Sequence, residues 1–282
     1  MNNKIKFSSI CLCLGTLTVS NAVLAKNPSE CPEGIADVVL NKKNPNFSLN
    51  SNEDNTSYNV CDKQGACQTV PFENNGINSL IILGSNGANV INGTRGPDTI
   101  CGGNGNDTIA GGEGDDDIYG NNGKDTIYGE DGDDALYGNN GNVTLYGGLG
   151  NDEIYGGNGK DTLFGFDEYP YDDPAETFKG DEDFLKGENG NDTLSGGPGN
   201  DTLDGGNGND DLNGNSDNDT LNGGNGKDAL KGEDGNDTLN GDNGRDDLNG
   251  GNGNDDINGG KGNDNCVDTS NSGGSPDCAA SN

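Results

Sequence analysis

Residues 102–110 read Gly-Gly-Asn-Gly-Asn-Asp-Thr-Ile-Ala, and variants of this nine-residue unit fill most of the chain. Asp recurs in steps of nine over residues 98–161 and again over 183–264, with Val143 in place of one Asp. An aliphatic residue stands two positions after nearly every Asp, and Gly stands two and five positions before it. The unit is therefore Gly-Gly-x-Gly-x-Asp-x-aliphatic-x, and a short fixed period of this kind indicates a solenoid.

Each position of the unit has a structural role. Gly, and less readily Asn, adopts positive φ, so the first six residues predict a tight turn that exposes backbone carbonyls. The last three residues predict a short strand whose central aliphatic side chain points inward and whose neighbours point outward. Two units would form one coil, with a strand in each of two parallel sheets and coils about 4.8 Å apart. The sequence predicts an all-β, two-sheet solenoid.

The composition excludes several classes of protein. Of 282 residues, 52 are Gly, 27% are hydrophobic and none is His or Trp. The formal charge is −34, from 49 acidic and 15 basic residues. Such acidity repels nucleic acid and anionic membranes, which are bound by basic patches. The absence of His removes Ser-His-Asp triads, Cys-His pairs and the usual zinc sites.

Stacked coils would bring the repeat carboxylates together. Turns on the same side recur with every second unit, so Asp98 would lie over Asp116 and Asp107 over Asp125. Like charges this close repel each other unless a cation lies between them. Calcium fits best, because it accepts carboxylates and backbone carbonyls in tolerant geometry, whereas magnesium requires a stricter octahedron and zinc prefers His or Cys. A period of nine also excludes the twelve-residue EF-hand loop.

The predicted calcium ligands are the repeat Asp residues. Twelve pairs of them stand two units apart, which predicts about twelve or more bound calcium ions. The complete set is Asp98, Asp107, Asp116, Asp125, Asp134, Asp152, Asp161, Asp183, Asp192, Asp201, Asp210, Asp219, Asp228, Asp237, Asp246, Asp255 and Asp264.

The unit at residues 102–110 and its relatives resemble the repeats-in-toxin (RTX), hemolysin-type calcium-binding nonapeptide repeat family over about residues 84–268. The resemblance implies a parallel β-roll in which repeat Asp residues and turn carbonyls bind calcium. It implies no single activity, because the roll accompanies toxins, proteases, lipases, epimerases and adhesins. Many relatives leave the cell through a one-step exporter that reads a C-terminal signal. The N-terminal signal predicted here favours passage through the periplasm instead.

The sequence is predicted to contain a signal peptide, an N-terminal cap and two blocks of repeats. Two Lys residues, a short apolar run and small residues at Val23 and Ala25 are typical of a cleaved secretory signal peptide. The apolar run at residues 80–83 would cover the open end of the roll. The predicted organisation is a signal peptide (1–25), an N-terminal cap (26–83), a first block (84–164), an interrupting loop (165–182), a second block (183–266) and a C-terminal cap or tail (267–282).

Six cysteines remain after the signal peptide, and an even count in an exported chain suggests disulfides. Cys61 and Cys67 flank a turn-like segment that suits a stapled hairpin, and Cys266 and Cys278 bracket a Gly- and Ser-rich tail. Cys31 would then pair with Cys101. Free thiols remain the alternative, and the absence of a Cys-x-x-Cys spacing argues against a metal cluster.

Aromatic residues occupy the last repeat position in the first block, where the side chain should face outward. Because they recur with every second unit, they predict two ladders that either stabilise the sheets by stacking or bind a sugar or another surface. The interruption at residues 165–182 carries more aromatic residues, and it is either a tolerated long turn or a binding loop. The ladder residues are Tyr119, Tyr128, Tyr137, Tyr146, Tyr155 and Phe164.

The sequence therefore predicts a secreted, non-enzymatic, calcium-binding protein that folds on binding calcium and serves as an extracellular structural or adhesive module. Its location is extracellular or, alternatively, periplasmic or cell-surface associated, with no transmembrane segment in the mature chain. One alternative is an accessory protein that binds polysaccharide or a cell-surface component through the ladders or the interrupting loop. A toxin-related or enzyme-associated protein is a poorer alternative, because residues 26–83 are too few for a substantial catalytic core.

Overall fold

A computed structural model describes residues 38–39, 48–51, 57–61, 67–71, 81–84, 86–166 and 181–267. Over these ranges every regular element is a strand. The strands are β1 (Val38–Val39), β2 (Ser48–Ser51), β3 (Ser57–Cys61), β4 (Cys67–Pro71), β5 (Ile81–Leu83), β6 (Val90–Thr94), β7 (Thr99–Asn104), β8 (Thr108–Glu113), β9 (Asp117–Asn122), β10 (Thr126–Asp131), β11 (Ala135–Asn140), β12 (Thr144–Leu149), β13 (Glu153–Asn158), β14 (Thr162–Phe164), β15 (Phe184–Asn189), β16 (Thr193–Pro198), β17 (Thr202–Gly208), β18 (Asp211–Ser216), β19 (Thr220–Gly226), β20 (Ala229–Asp234), β21 (Thr238–Asn240), β22 (Asn243–Gly244), β23 (Asp247–Asn252), β24 (Asp256–Asn258), β25 (Lys261–Gly262) and β26 (Asn265–Val267).

Alternate strands belong to two parallel sheets. Sheet one runs in the order β1-β5-β7-β9-β11-β13-β15-β17-β19-β21-β24. Two short strands complete it, since β22 pairs with β19 and β25 pairs with β22. Sheet two contains ten strands in the order β26-β23-β20-β18-β16-β14-β12-β10-β8-β6. The chain therefore winds steadily from one sheet to the other, and the predicted all-β, two-sheet parallel solenoid is confirmed.

One aliphatic side chain per repeat forms the core between the sheets. Neighbouring strands of a sheet come from units two apart in the chain, so Ile100 lies beside Ile118 and Ile109 beside Ile127. From Ile82 to Ile257 these side chains are at most 4% exposed. Full burial of each contributes about 1.5–3 kcal/mol, which explains how so few apolar residues support an ordered fold.

The strands are longer than the repeat pattern predicted. Most strands of the repeats contain six residues rather than three, because the parallel hydrogen bonds continue through the Gly-Gly-x segment that was expected to belong to the turn. The second repeat position adopts positive φ, as at Gly103 (100°), Asn121 (73°) and Asn139 (71°). This conformation agrees with the preference for Gly or Asn that the sequence indicated.

The region before the repeats contributes strands of its own. β2, β3 and β4 form an antiparallel sheet in which Cys61 and Cys67 are paired across the hairpin. The hairpin backbone agrees with the predicted staple, whereas the three disulfide pairings remain predictions. Ile81–Leu83 adds a strand to sheet one between β1 and β7, with Ile82 in the core position, so this run extends the repeat packing.

The interruption does not break the solenoid. β13 pairs with β15 and β14 pairs with β16, although the inserted segment separates these partners by more than two units of sequence. The last core residue before the interruption, Leu163, lies beside Leu194 in the regular way. The two blocks thus form one continuous pair of sheets.

Candidate metal centre

The predicted Asp ligands lie in two columns, one along each line of turns. All of them except Asp255 and Asp264 are at most 5% exposed. The first turn column contains Asp107, Asp125, Asp161, Asp192, Asp210, Asp228, Asp246 and Asp264, with Val143 between Asp125 and Asp161. The second turn column contains Asp98, Asp116, Asp134, Asp152, Asp183, Asp201, Asp219, Asp237 and Asp255.

One oxygen of each carboxylate is held by the neighbouring coil. The backbone N–H of Asp192 donates to Oδ1 of Asp210 at 2.8 Å, and that of Asp210 donates to Oδ1 of Asp228 at 2.9 Å. The same bond joins fourteen stacked Asp pairs at 2.6–3.0 Å. The period predicted the stacking but not this bond, since no residue spacing indicates which amide a carboxylate accepts from.

The second oxygen of most column carboxylates is buried without a hydrogen-bond partner, whereas Oδ2 of Asp98 accepts the N–H of Thr94 at 2.8 Å. Such an unpartnered atom is costly, because a desolvated anionic oxygen normally requires a donor or a cation. Fourteen Oδ2 atoms of the described repeats are in this state, those of Asp107, Asp116, Asp125, Asp134, Asp152, Asp161, Asp192, Asp201, Asp210, Asp219, Asp228, Asp237, Asp246 and Asp255.

The first Gly of each turn leaves room for these oxygens. A Cβ atom built on Gly205 would lie 2.7 Å from Oδ2 of Asp210 and 2.8 Å from the carbonyl oxygen of Gly223. At Gly102 the corresponding distances are 2.6 Å to Oδ2 of Asp107 and 3.0 Å to the carbonyl oxygen of Gly120. In these turns the unpartnered Oδ2 therefore borders the same small space as a carbonyl oxygen of the following coil.

Burial makes ionisation of the column carboxylates unfavourable. It raises the pKa of Asp152 to about 9 and that of Asp219 to about 8. In both cases the backbone N–H bond opposes the shift, whereas neighbouring carboxylates reinforce it; for Asp152 these include Asp183 and Asp134. The columns therefore hold carboxylates that become anions at neutral pH most readily when a cation accompanies them.

The available donors suit calcium. Carboxylate and carbonyl oxygens are hard ligands, which calcium accepts together, whereas zinc prefers His or Cys. Within the described ranges no group of three or more His, Cys, Asp or Glu side chains converges on one point. Backbone carbonyl oxygens would therefore have to complete the coordination shell of any ion held by the repeat Asp residues.

The two columns continue across the interruption. The N–H of Asp152 donates to Oδ1 of Asp183, and that of Asp161 donates to Oδ1 of Asp192, both at 2.8 Å. Counting pairs two units apart missed these two contacts, because the inserted segment raises the separation in sequence from 18 to 31. The first and second blocks therefore share a single array of carboxylates.

Val143 interrupts the first turn column, as the sequence indicated. Its N–H donates to Oδ1 of Asp161 at 3.0 Å, so the coil after it is held normally. Because Val143 has no carboxylate, the N–H of Asp125 lacks the acceptor that each neighbouring repeat provides. The Val143 side chain is 2% exposed and lies over Gly138, where the other turns place Oδ2.

The two predicted aromatic ladders are confirmed. The rings of Tyr128 and Tyr146 stack at 4.9 Å with an interplanar angle of 4°, and those of Tyr137 and Tyr155 stack at 5.1 Å and 5°. Tyr119, expected to face outward, is only 5% exposed. Because adjacent rings cover each other's faces, a sugar ring has no free face to stack on within the ladder. This geometry supports the interpretation that the ladders stabilise the sheets.

Several other predictions concern residues that the structure does not describe. The signal peptide at 1–25 and residues 167–180 and 268–282 lie outside the described ranges. Among the residues that the structure does describe, no helix is long and apolar enough to cross a membrane.

Comparison with known proteins agrees with the geometry of the turns. A family model described as the RTX calcium-binding nonapeptide repeat (4 copies) matches residues 83–118, 111–145, 137–165, 180–212, 204–239, 213–248 and 231–266. These matches together cover more than half of the chain, and they include every repeat Asp. No curated protein matches the chain at a significant level.

Proposed function

Because the chain belongs to the RTX calcium-binding nonapeptide repeat family, we propose that it is a secreted, non-enzymatic protein that folds on binding calcium and serves as an extracellular structural or adhesive module. The observation that carries the proposal is the array of fourteen buried Oδ2 atoms without a hydrogen-bond partner. So many desolvated carboxylates would destabilise a fold unless cations accompanied them.

We place one calcium ion at each stacked pair of Asp residues, held by carboxylate oxygens and by turn carbonyls such as that of Gly223. The seventeen predicted Asp residues would then be the ligands. The fourteen backbone-linked pairs support about fourteen ions, two more than the pairs standing two units apart indicated. Bound calcium would supply the positive charge that the buried Oδ2 atoms lack.

The remaining parts of the proposal rest on composition and on the ladders. A chain without His, and with no converging side-chain cluster in its described part, offers little for catalysis. The predicted signal peptide favours export, with the periplasm or the cell surface as alternative locations. A polysaccharide partner would have to use ring edges and hydroxyl groups, since stacking covers the ring faces. We therefore favour a structural role over polysaccharide binding.

Two neighbouring residues provide a matched test of the proposed ligands. Asp134 is 2% exposed with an unpartnered Oδ2, whereas Asp133, one position earlier in the same turn, is exposed. Asp134→Asn and Asp133→Asn remove the same charge, and Asn retains an oxygen that accepts the backbone N–H bond. We expect calorimetric titration to show fewer calcium ions bound by Asp134→Asn and an unchanged number bound by Asp133→Asn.

Equal losses of calcium in the two variants would contradict the ligand assignment, because a general loss of negative charge would then explain both. An unchanged stoichiometry in Asp134→Asn would contradict it as well. Circular dichroism of both variants in calcium would verify that the sheets are intact.

A further inference from the structure

A ladder of asparagine side chains runs along the first turn column, at the third position of each unit. Seven side-chain amides donate to Oδ1 of the Asn one coil earlier, at 2.8–3.2 Å. The side chains are exposed, and every member is followed directly by Gly. The ladder consists of Asn86, Asn104, Asn122, Asn140, Asn158, Asn189, Asn207, Asn225 and Asn243.

An Asn-Gly pair can modify itself. The backbone nitrogen of Gly attacks the side-chain carbon Cγ of Asn, a C–N bond forms, and the side-chain amide leaves as ammonia. Water then opens the resulting succinimide to Asp or isoaspartate, so that water is consumed and one ammonia is released. Gly permits the attack best, because it has no Cβ to obstruct the approach and it populates conformations closed to other residues.

The folded ladder restrains both reacting groups. The N–H of Gly123 donates to the carbonyl oxygen of Asn140, and that of Gly141 to the carbonyl oxygen of Asn158, at 2.9 and 2.8 Å. The nucleophilic nitrogen is therefore fixed to the next coil. The leaving amide is fixed to the previous coil, as in the 3.2 Å bond from Asn158 to Asn140. Attack on Cγ requires both bonds to open, even though water reaches the exposed side chain freely.

We propose that these nine Asn-Gly pairs are latent deamidation sites, which the folded roll protects and which unfolding exposes to reaction. Protection follows from geometry rather than from burial, so it lasts only while adjacent coils remain stacked. The reaction requires local opening, and its rate should follow the stability of each turn.

Asn140 is the weakest point of the ladder. Its Oδ1 accepts from Asn158, but in the described structure its own side-chain amide makes no bond to Asn122, whereas every other member after Asn86 donates to the Asn before it. It also belongs to the turn that ends at Val143, which lacks the repeat carboxylate. In the folded protein we therefore expect Asn140 to deamidate first.

Deamidation would damage the roll permanently. The product carboxylate has no N–H to donate to the previous coil, and it adds a negative charge about 4.8 Å from the next ladder position. A chain modified at several positions could not rebuild the ladder. If calcium controls folding, as proposed above, a calcium-free chain would progressively lose its ability to refold.

Peptide mass mapping during incubation at mildly alkaline pH tests the inference under three conditions: with calcium, with chelator, and with calcium in concentrated urea. Asn191 serves as an internal control, since it lies in the same turn as Asn189 but precedes Asp. In urea we expect the ladder positions to deamidate faster than Asn191. In calcium without urea we expect them to react at least about tenfold more slowly than in urea, with Asn140 the fastest.

Equal rates at the ladder positions with and without urea would overturn the proposal. The chelator condition separates it from the proposed function. Protected ladder positions in chelator, together with an unchanged circular dichroism spectrum, would contradict calcium-dependent folding while supporting protection by the fold. An Asn140→Gln variant should lose the first modification and keep the slower ones.

Discussion

At the scale of single residues, each repeat Asp has two separable contributions. In Asp228, Oδ1 accepts the N–H of Asp210 and fixes the register, whereas the buried Oδ2 has no hydrogen-bond partner and is available to a cation. Asp98 differs, because its Oδ2 accepts the N–H of Thr94. Val143 is informative because it removes both contributions at one position. The N–H of Asp125 loses its acceptor, and the space beside Gly138 contains methyl groups instead of a carboxylate oxygen.

Substitution of Val143 by Asp and by Asn should separate the two contributions. Both variants lose the same buried methyl groups and regain an acceptor for Asp125, but only Asp adds a charge. In calcium we expect Asp to give the higher melting temperature, and an extra ion at ten times its Kd would contribute roughly 1.4 kcal/mol. At the lowest free calcium that still supports folding, the difference should shrink, since an unpaired buried carboxylate is unfavourable.

Thermal unfolding of the two variants at equal free calcium checks this order. If the Asn variant were the more stable one in calcium, the carboxylate at this position would not be binding an ion. Calcium titration of the same samples should show a higher stoichiometry for the Asp variant.

At the scale of elements, the solenoid accommodates the interruption within a single turn. Gly165 still follows the register of the strand before it, and Glu182 and Asp183 resume the register of the strand after it. Pairing across this turn has a separation of 31 in sequence instead of 18, and the difference equals the length of the segment 167–179. The two flanks thus close the turn as in an uninterrupted coil.

Deletion of residues 167–179 should therefore restore the regular two-unit spacing and leave the number of bound calcium ions unchanged. Deletion of 167–178 is the matched control, because one extra residue remains in the turn. If that residue shifts the pairing of the following strand, its core side chains move to the opposite face. We expect normal calcium binding and cooperative melting for the first deletion, and weaker binding with a lower melting temperature for the second. Identical behaviour of the two deletions would show that register across this turn does not matter.

The period predicted much of this arrangement but not all of it. The step of nine predicted the stacking of Asp98 on Asp116 and the burial of Ile109, because both follow from two units per coil. The contact between Asp152 and Asp183 could not be predicted, since a separation of 31 is not a multiple of nine and only closure of the turn reveals it. The six-residue strands and the bond from each N–H to Oδ1 depend on backbone geometry, which residue types do not specify.

At the scale of the whole molecule, ionisation of the columns should make the calcium-free roll sensitive to pH. Burial raises the pKa of Asp152 to about 9, that of Asp116 to about 8 and that of Asp107 to about 6, above their ordinary value of 3.8. A raised folded-state pKa contributes stability that is fully present below the unfolded pKa and is lost as pH rises through the folded pKa.

In chelator we therefore expect the folded fraction to increase as the pH falls from about 9 toward 3.8, the interval between these raised pKa values and the ordinary one. In saturating calcium the dependence should be much weaker, since the ions stabilise the charged carboxylates. Circular dichroism along a pH series with and without calcium checks this. A chelated protein that unfolds further on acidification over this range would contradict the assigned role of the buried carboxylates.

Calcium should decide whether this chain folds at all. At ten times Kd each site contributes roughly 1.4 kcal/mol, so fourteen independent sites would contribute roughly 20 kcal/mol, more than the stability of a typical domain. The most direct measurement is far-ultraviolet circular dichroism of the mature chain at neutral pH, in chelator and then in millimolar calcium. We predict a disordered spectrum in chelator that becomes β-rich when calcium is added. Identical spectra under the two conditions would contradict calcium-dependent folding.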